Sequence, residues 1–542
     1  MKEYKKYYWL NDDSRKFLSR GYVTGSPEQR IKDIAQSAEK ILGVKDFAEK
    51  FETYMSKGYY SLSTPVWCNF GKEKALPISC YGSHIDDSLD SILNASREIG
   101  LMSKYGGGTS AYIGNIRKMG SPISSGGTAD GPLHYSKIID SVIDVCKQAE
   151  SRRGSCAIWL PIEHGDIYEL LNVGTEGNPI QNLQYGVTIT DKWMQEMIDG
   201  NSEYRKVWAK VIQRRSEFGF PYIMFKDTVN NNSPYKKLGL EILHSNLCSE
   251  IALPNTTWES FVCCLGSINL LHWNEIEKTD AIETYILFLN AVIEDFIDKS
   301  QHLPGMKRAY RFAKNHRAIG LGVLGYASYL QSELVEFESL RAKQLNYTIF
   351  KTLQERSEKA SKWCHDFLGM KSIRDGYANT TTIAIAPTKS SSYILGQVSM
   401  GIEPIKSNYF VKDLAKIKSV YKNETLEEEL QKYDLNTPEV WETILKNDGS
   451  VQHLDFPTKE VFKSFIEITP KELLLQAAQR QPFIDQSQSL NLMIHPTVSA
   501  KDINQLYIYA WREGVKTLYY QFSQSSAQSF ARDINNCVAC ES

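Results

Sequence analysis

The run TTIAIAP, Thr381–Pro387, follows a long helical pattern at Leu340–Leu368 and precedes a second short apolar run, SLNLMI, Ser489–Ile494. Short apolar runs set between long helical patterns, of which Ala281–Lys299 is another, read as strands alternating with helices, which points to an α/β fold. The stretch Ser79–Leu160 agrees. There, Gly- and Ser-rich turns (YGGGTSAYIG at 105–114, GSPISSGGTADG at 120–131) interrupt short apolar runs and one amphipathic segment, Pro132–Glu150. In such folds the ends of strands and the loops after them carry the chemistry.

Around this α/β unit the chain changes character. Residues 1–75 read as a helical N-terminal region, with apolar residues at helical spacing from Pro27 to Gly58. Residues 406–475 are rich in Lys and Glu and read as a solvated, largely helical excursion with no assigned role. From 523 to 542 the chain is rich in Ser, Gln and Asn, the composition of a mobile tail.

Composition narrows the function classes. The 542 residues are 42% hydrophobic and 23% charged, enough apolar material for a large core. The formal net charge is only −2 and Lys and Arg are spread along the chain, so no nucleic acid partner is expected. The first residues hold no apolar core of signal-peptide length and no stretch has the apolar length of a membrane span, so a cytoplasmic protein with no membrane partner is expected. Ten cysteines in that setting stay reduced, and reactive roles compete with simple burial.

The segment HSNLCSEIALP places Asn246, Cys248 and Glu250 at alternating positions. In an extended loop their amide, thiol and carboxyl point the same way and can converge on one small substrate, with the carboxylate as general base. A buried Cys beside a helix-capping Asn fits the same three residues. Cys80, in PISCYGS, and Cys263, in FVCCLGSINL, are far apart in sequence, and spacing does not say whether they meet. Cys537 and Cys540 form a CxxC pair suited to thiol–disulfide exchange; half a zinc site competes, but no second CxxC accompanies it, and no metal site is assigned. Tyr519 and Tyr520, in GVKTLYYQ, are core aromatics or, in series, a relay for an oxidising equivalent.

Taken in chain order, NLCSE, CCLGSINL, KTLYYQ and the terminal CxxC resemble the catalytic subunit of class I ribonucleotide reductases. The likeness extends through STPVWCN (63–69), DDSLDSI (86–92), GNIRKMGSPI (114–123), APTKSSS (386–392), GIEP (401–404) and FIDQSQS (483–489). It implies a ten-stranded α/β barrel of two half-barrels over 76–522, reducing ribonucleotides, as diphosphates, to 2′-deoxyribonucleotides. It further implies that Cys248 carries a thiyl radical that removes the 3′ hydrogen, that Glu250 takes the 3′-hydroxyl proton and that Asn246 holds the sugar. Cys80 and Cys263 then supply two reducing equivalents and end as a disulfide, which Cys537 and Cys540 reduce before being reset by thioredoxin or glutaredoxin. Tyr519 and Tyr520 carry the oxidising equivalent from a metal-containing β subunit, and no cofactor is held tightly by this chain.

The resemblance also implies a substrate site at Thr64, Gly107, Gly108, Pro387, Thr388, Lys389, Ser390 and Ser391. Allosteric dNTP or ATP effectors are expected at Asp87, Arg117 and Arg152 on the interface of a homodimer, with the loop 146–156 as relay. Some relatives carry Arg where Ser124 stands and an acid where Lys389 stands. The unusual Cys264 competes with Cys263 as the partner of Cys80. The STP motif starts at Ser63, so the form expected is one without the N-terminal ATP cone. Two other readings stand beside it: a cobalamin-dependent reductase, and a nucleotide sensor without catalysis. A sensor has no use for the set of Asn246, Cys248, Glu250, Cys80 and Cys263.

Overall fold

The computed structural model describes residues 7–523 apart from 74, 125, 147–153, 415 and 416. Arg152, most of the loop 146–156, and Cys537 and Cys540 therefore lie outside the described residues.

β1 (Tyr60–Leu62) precedes five parallel strands: β2 (Cys80–His84), β3 (Gly108–Tyr112), β4 (Cys156–Pro161), β5 (Leu183–Ile189) and β6 (Tyr222–Phe225). β7 (Phe261–Asn269) and β8 (Ile319–Leu324) run parallel to each other, and β7 lies antiparallel to β2. After a hairpin of β9 (Tyr409–Leu414) and β10 (Ile417–Lys422) come β11 (Leu492–Ile494), β12 (Thr517–Leu518) and β13 (Gln521–Ser523), with β12 antiparallel to β6.

The ring closes through the two apolar runs singled out in the sequence. Leu321 of β8 bridges Ile383 and Ile385 bridges Gln488, both in parallel sense, and the Tyr519 N–H donates to the Leu490 carbonyl at 2.9 Å. SLNLMI supplies β11, which pairs parallel with β13, but TTIAIAP forms no regular ladder, and the cause is visible. The Asp485 carboxylate accepts the Thr382 and Ile383 N–H groups at 2.6 and 2.9 Å, taking donors that a neighbouring strand would use. With the bridged segments counted as strands, the barrel has two parallel halves that meet antiparallel at β2–β7 and β6–β12, the expected two-half architecture.

Helices coat the barrel where strands bury both faces. Ala281–Ser300 and Leu340–Leu368 form close to where periodicity puts them, and the amphipathic segment from Pro132 is helical to Val145. The N-terminal helical run divides in two, Pro27–Leu42 and Phe47–Ser56, because Gly43 takes a left-handed φ of 65° and ends the first helix. The Arg30 guanidinium donates to the carbonyls of Val66, Trp67 and Phe70, tying this region to the short helix Thr64–Asn69. The excursion at 406–475 is less helical than expected: it holds the β9–β10 hairpin beside the helices Glu424–Lys432 and Pro438–Lys446, and has its own apolar cluster around Leu430, Trp441 and Phe462. Among the described residues, no helix is long and apolar enough to cross a membrane.

Candidate active site

Antiparallel pairing of β2 with β7 sets Cys80 directly opposite Cys263, although 183 positions separate them in the chain. Side chains alternate along β7, so Cys263 and Cys264 face opposite ways. A Cβ built on Gly266 meets the Tyr285 hydroxyl at 2.4 Å, which places 264 and 266 on the face toward the helix Ala281–Ser300. A Cβ on Gly320 meets Leu265 and, at 3.4 Å, the Cys263 sulfur, so 263 and 265 share the opposite, inner face. Cys264 is thereby removed from competition as the thiol facing Cys80.

The loop bearing Asn246, Cys248 and Glu250 is not extended, as the alternation implied. It turns at Leu247–Ser249, where Ser249 has a φ of 67°, and the turn closes on itself. The Asn246 side-chain oxygen accepts the Ile251 N–H at 3.1 Å, and the Ser245 hydroxyl donates to the Ile251 carbonyl at 2.6 Å. This orients the Asn246 amide so that its N–H donates to the Cys80 sulfur at 3.4 Å, while Glu250 lies 3.9 Å from the same sulfur. Four of the expected residues, Asn246, Glu250, Cys80 and Cys263, are thus gathered at one place, with Cys248 at the tip of the same turn. All five are buried.

Three hydroxyls hold the turn, and sequence reasoning gave none of them a role. The Ser489 hydroxyl lies 2.6 Å from the Cys248 carbonyl and 3.0 Å from a Glu250 oxygen; the Thr517 hydroxyl donates to the Ser249 carbonyl at 2.9 Å, and Ser487 hydrogen-bonds Thr517 at 2.6 Å. They stand in the FIDQSQS and KTLYYQ stretches, which marks them only after the barrel has closed. Lys516 locks those stretches together, its buried ammonium donating to the carbonyls of Asn232, Ile484, Asp485 and Gln486.

Burial raises the Glu250 carboxyl to about 7, against the opposing pull of its backbone, Asn246, Ser489 and Cys80 hydrogen bonds. Near neutrality it therefore exchanges a proton readily, the property a general base needs. The neighbouring His244 is held neutral: burial lowers it to about 3, and it sits between the Ser245 carbonyl at 2.7 Å and the Asn255 amide at 2.6 Å.

Tyr519 and Tyr520 follow β12 directly and are buried, with ring centroids 4.4 Å apart. Tyr222 packs on both, at 4.8 and 5.1 Å. The Tyr519 backbone is anchored by the Arg215 guanidinium, which donates to its carbonyl at 2.9 Å. The relay candidates and Cys248 are thus linked through Thr517 and Ser489, which hold the turn from the same strand pair.

Gly108 opens β3 beside the turn: a Cβ there meets Leu247 at 3.2 Å, and one on Gly107 meets the Tyr81 ring at 2.2 Å. At Gly107 a side chain would force the Tyr81 ring to move, and at Gly108 it would press on Leu247. Thr388, at a φ of 53°, begins the short helix Lys389–Ile394 and accepts the Gly401 N–H at 2.8 Å, which joins PTKSSS to GIEP. Ser391 reaches the Leu62 carbonyl at 3.5 Å, bringing Pro387–Ser391 next to Thr64. Asp87 and Arg117, 30 positions apart, form an ion pair at 2.6 Å on the half-exposed surface.

Comparison with known proteins agrees with this architecture. The sequence profile described as "Ribonucleotide reductase, barrel domain" matches residues 78–204, 196–366 and 362–521. A putative ribonucleoside-diphosphate reductase large subunit of Frog virus 3 (isolate Goorha) is 32% identical over 511 residues, covering 89% of each chain. The ribonucleoside-diphosphate reductase large subunit of Invertebrate iridescent virus 3 is 30% identical, covering 95% of each. Among solved structures, the Actinobacillus ureae class Id ribonucleotide reductase alpha subunit superposes with a TM-score of 0.91 at 49% identity, covering 96% of this chain and 99% of that one. The chain belongs to the family of class I ribonucleotide reductase large subunits.

Proposed function

We propose that the chain reduces ribonucleoside diphosphates, the substrates for which its relatives are named, to 2′-deoxyribonucleotides, and that it does so by thiyl-radical chemistry. One observation carries the reading: Cys80 and Cys263 face each other across the β2–β7 seam, beside a buried turn that holds Asn246, Cys248 and Glu250. In this reading Cys248 removes the ribose 3′ hydrogen. Glu250 takes the 3′-hydroxyl proton, Asn246 shifts its amide to the sugar, and Cys80 and Cys263 deliver two electrons as the 2′-hydroxyl leaves as water.

The radical comes from a separate, metal-containing β subunit along Tyr520 and Tyr519. Electrons return through Cys537 and Cys540, recharged by thioredoxin or glutaredoxin. Thr64, Gly107, Gly108 and the Pro387–Ser391 segment receive the substrate, with the Thr388 hydroxyl proton left to donate because its oxygen already accepts from Gly401. A homodimer forms through the paired helices Leu89–Lys104 and Pro132–Val145, whose outer side leaves Leu89, Leu93 and Val145 exposed. dNTP or ATP effectors bind beside Asp87 and Arg117 at that interface.

The test is deoxynucleotide formation from each of the four ribonucleoside diphosphates, with a β subunit added and with Cys248→Ser as control. Product from the unaltered chain and none from the control is expected. Product from Cys248→Ser refutes the thiyl assignment.

A further inference from the structure

The side chain of Gln486 stands apart from the residues given roles so far, yet it touches one of the two facing sulfurs. Its amide nitrogen donates to the Cys263 sulfur at 3.6 Å and to the Ile319 carbonyl at 3.0 Å, and its oxygen accepts the Ala252 N–H at 3.3 Å. The backbone partners fix which end of the amide is nitrogen, so one N–H is aimed at sulfur by construction. Gln486 is fully buried, and its own carbonyl is held by Lys516 at 2.8 Å. A donor held on sulfur in a water-poor site favours the thiolate over the thiol.

The two sulfurs are unlike in their surroundings. Cys80 is the less enclosed, at 4% exposure against 0% for Cys263, and it lies 3.9 Å from the Glu250 carboxyl, whose ionised form opposes negative charge on both sulfurs. Its own amide donor comes from Asn246, which the proposed reaction diverts to the sugar. Cys263 keeps its donor throughout, because neither Ile319 nor Ala252 has any part in the chemistry.

We propose that Gln486 gives disulfide re-reduction a fixed direction, with Cys80 the sulfur attacked and Cys263 the sulfur released. The inference rests on the reading of Cys80 and Cys263 as the redox pair. A thiolate of the reducing dithiol bonds to the Cys80 sulfur, the Cys80–Cys263 bond breaks, and its electron pair leaves on Cys263, where the Gln486 N–H receives it. The second thiol of the dithiol then displaces Cys80, closes the dithiol's own disulfide and leaves both protein cysteines reduced and protonated. Two electrons and two protons pass from dithiol to protein. Burial pushes the Cys263 thiol up and Gln486 pulls against it, the balance that a departing thiolate needs eased.

The test starts from the full-length chain with Cys537 and Cys540 replaced by Ser, so that the tail cannot re-reduce the pair, oxidised by one turnover with its β subunit. A monothiol such as 2-mercaptoethanol is added, the mixed disulfide is trapped by acid and alkylation, and its position is mapped by peptide mass. An adduct on Cys80 is expected; an adduct on Cys263 overturns the direction. Gln486→Leu should slow reduction of the Cys80–Cys263 disulfide by dithiothreitol about ten-fold, the loss of one hydrogen bond to a charged sulfur. In Gln486→Glu the neutral carboxyl donates and the ionised one does not, so its rate relative to the unaltered chain should fall as pH rises. Equal rates in all three proteins overturn the role of Gln486, and the mapping on the unaltered chain stands even where a variant fails to fold. If turnover leaves no Cys80–Cys263 disulfide, the redox-pair reading fails first and this inference with it.

Discussion

Replacing Glu250 with Gln separates what the carboxyl does for chemistry from what it costs the fold. The ordinary value of the group is 4.5 and burial raises it to about 7. The folded protein therefore binds that proton more tightly than the unfolded chain, so the stabilisation is complete below about pH 4.5 and is lost as pH rises through about 7. Carrying the ionised group above pH 7 costs about 3 kcal/mol of stability. For a chain of this length that amounts to about 3 °C in the unfolding midpoint. Gln is isosteric and still reaches Ser489, so Glu250→Gln should match the unaltered protein at pH 5 and unfold about 3 °C higher at pH 8.5. Turnover should fall about 10²- to 10⁴-fold, the usual contribution of a general base. In the unaltered enzyme, turnover should rise with pH through about 7 as the base ionises. Scanning calorimetry of both proteins across that range, beside the pH–rate profile, reads every part. A stability difference that does not change with pH, or a Gln variant with near-normal turnover, refutes the reasoning.

Tyr519→Phe and Tyr520→Phe should each keep the fold, since the rings remain packed with Tyr222, but should abolish β-dependent turnover; near-normal rates in either variant remove that residue from the relay. Cys264→Ala should keep turnover and still form the disulfide with Cys263, at a stability cost of about 1 kcal/mol for the lost buried sulfur; loss of the disulfide would mean that the side of β7 has been assigned wrongly. Replacing Cys537 and Cys540 together with Ser should stop turnover driven by thioredoxin but spare turnover driven by dithiothreitol, and equal loss with both would deny the tail a shuttle role. Asp87→Asn should shift the ratio of products formed from a mixture of four ribonucleotides as dTTP or dGTP is titrated in, and unchanged ratios would take the effector site away from the Asp87–Arg117 pair.

Much of the architecture was legible in short runs. TTIAIAP and SLNLMI read as strands and do line the second half-barrel: TTIAIAP pairs only through bridges, because Asp485 takes N–H groups that a ladder would share, whereas SLNLMI supplies β11, which pairs with β13. The long helices were visible because an apolar face repeats over many turns. The split at Gly43 was missed since the apolar spacing runs straight through it. Asn246, Cys248 and Glu250 were marked by their own spacing, but for a geometric reason that does not hold: they converge through a turn at Ser249, not through an extended strand. The meeting of Cys80 with Cys263, and the exclusion of Cys264, depend on strand register, which no local spacing encodes. The hydroxyls of Ser489 and Thr517 and the amide of Gln486 were invisible for the same reason, since Cys248, Ser249 and Cys263, which they touch, lie more than 200 positions away.

The central claim is that one product forms for each Cys80–Cys263 pair oxidised, and a single-turnover experiment tests it most directly. The chain is reduced, freed of small thiols, mixed with its β subunit and one ribonucleoside diphosphate, and quenched; deoxynucleotide and disulfide-linked peptides are then quantified together. With Cys537 and Cys540 replaced by Ser to prevent a second cycle, the account predicts equal amounts of deoxynucleotide and of the Cys80–Cys263 disulfide. Deoxynucleotide formed with both thiols still free, or paired instead through Cys264, would contradict it.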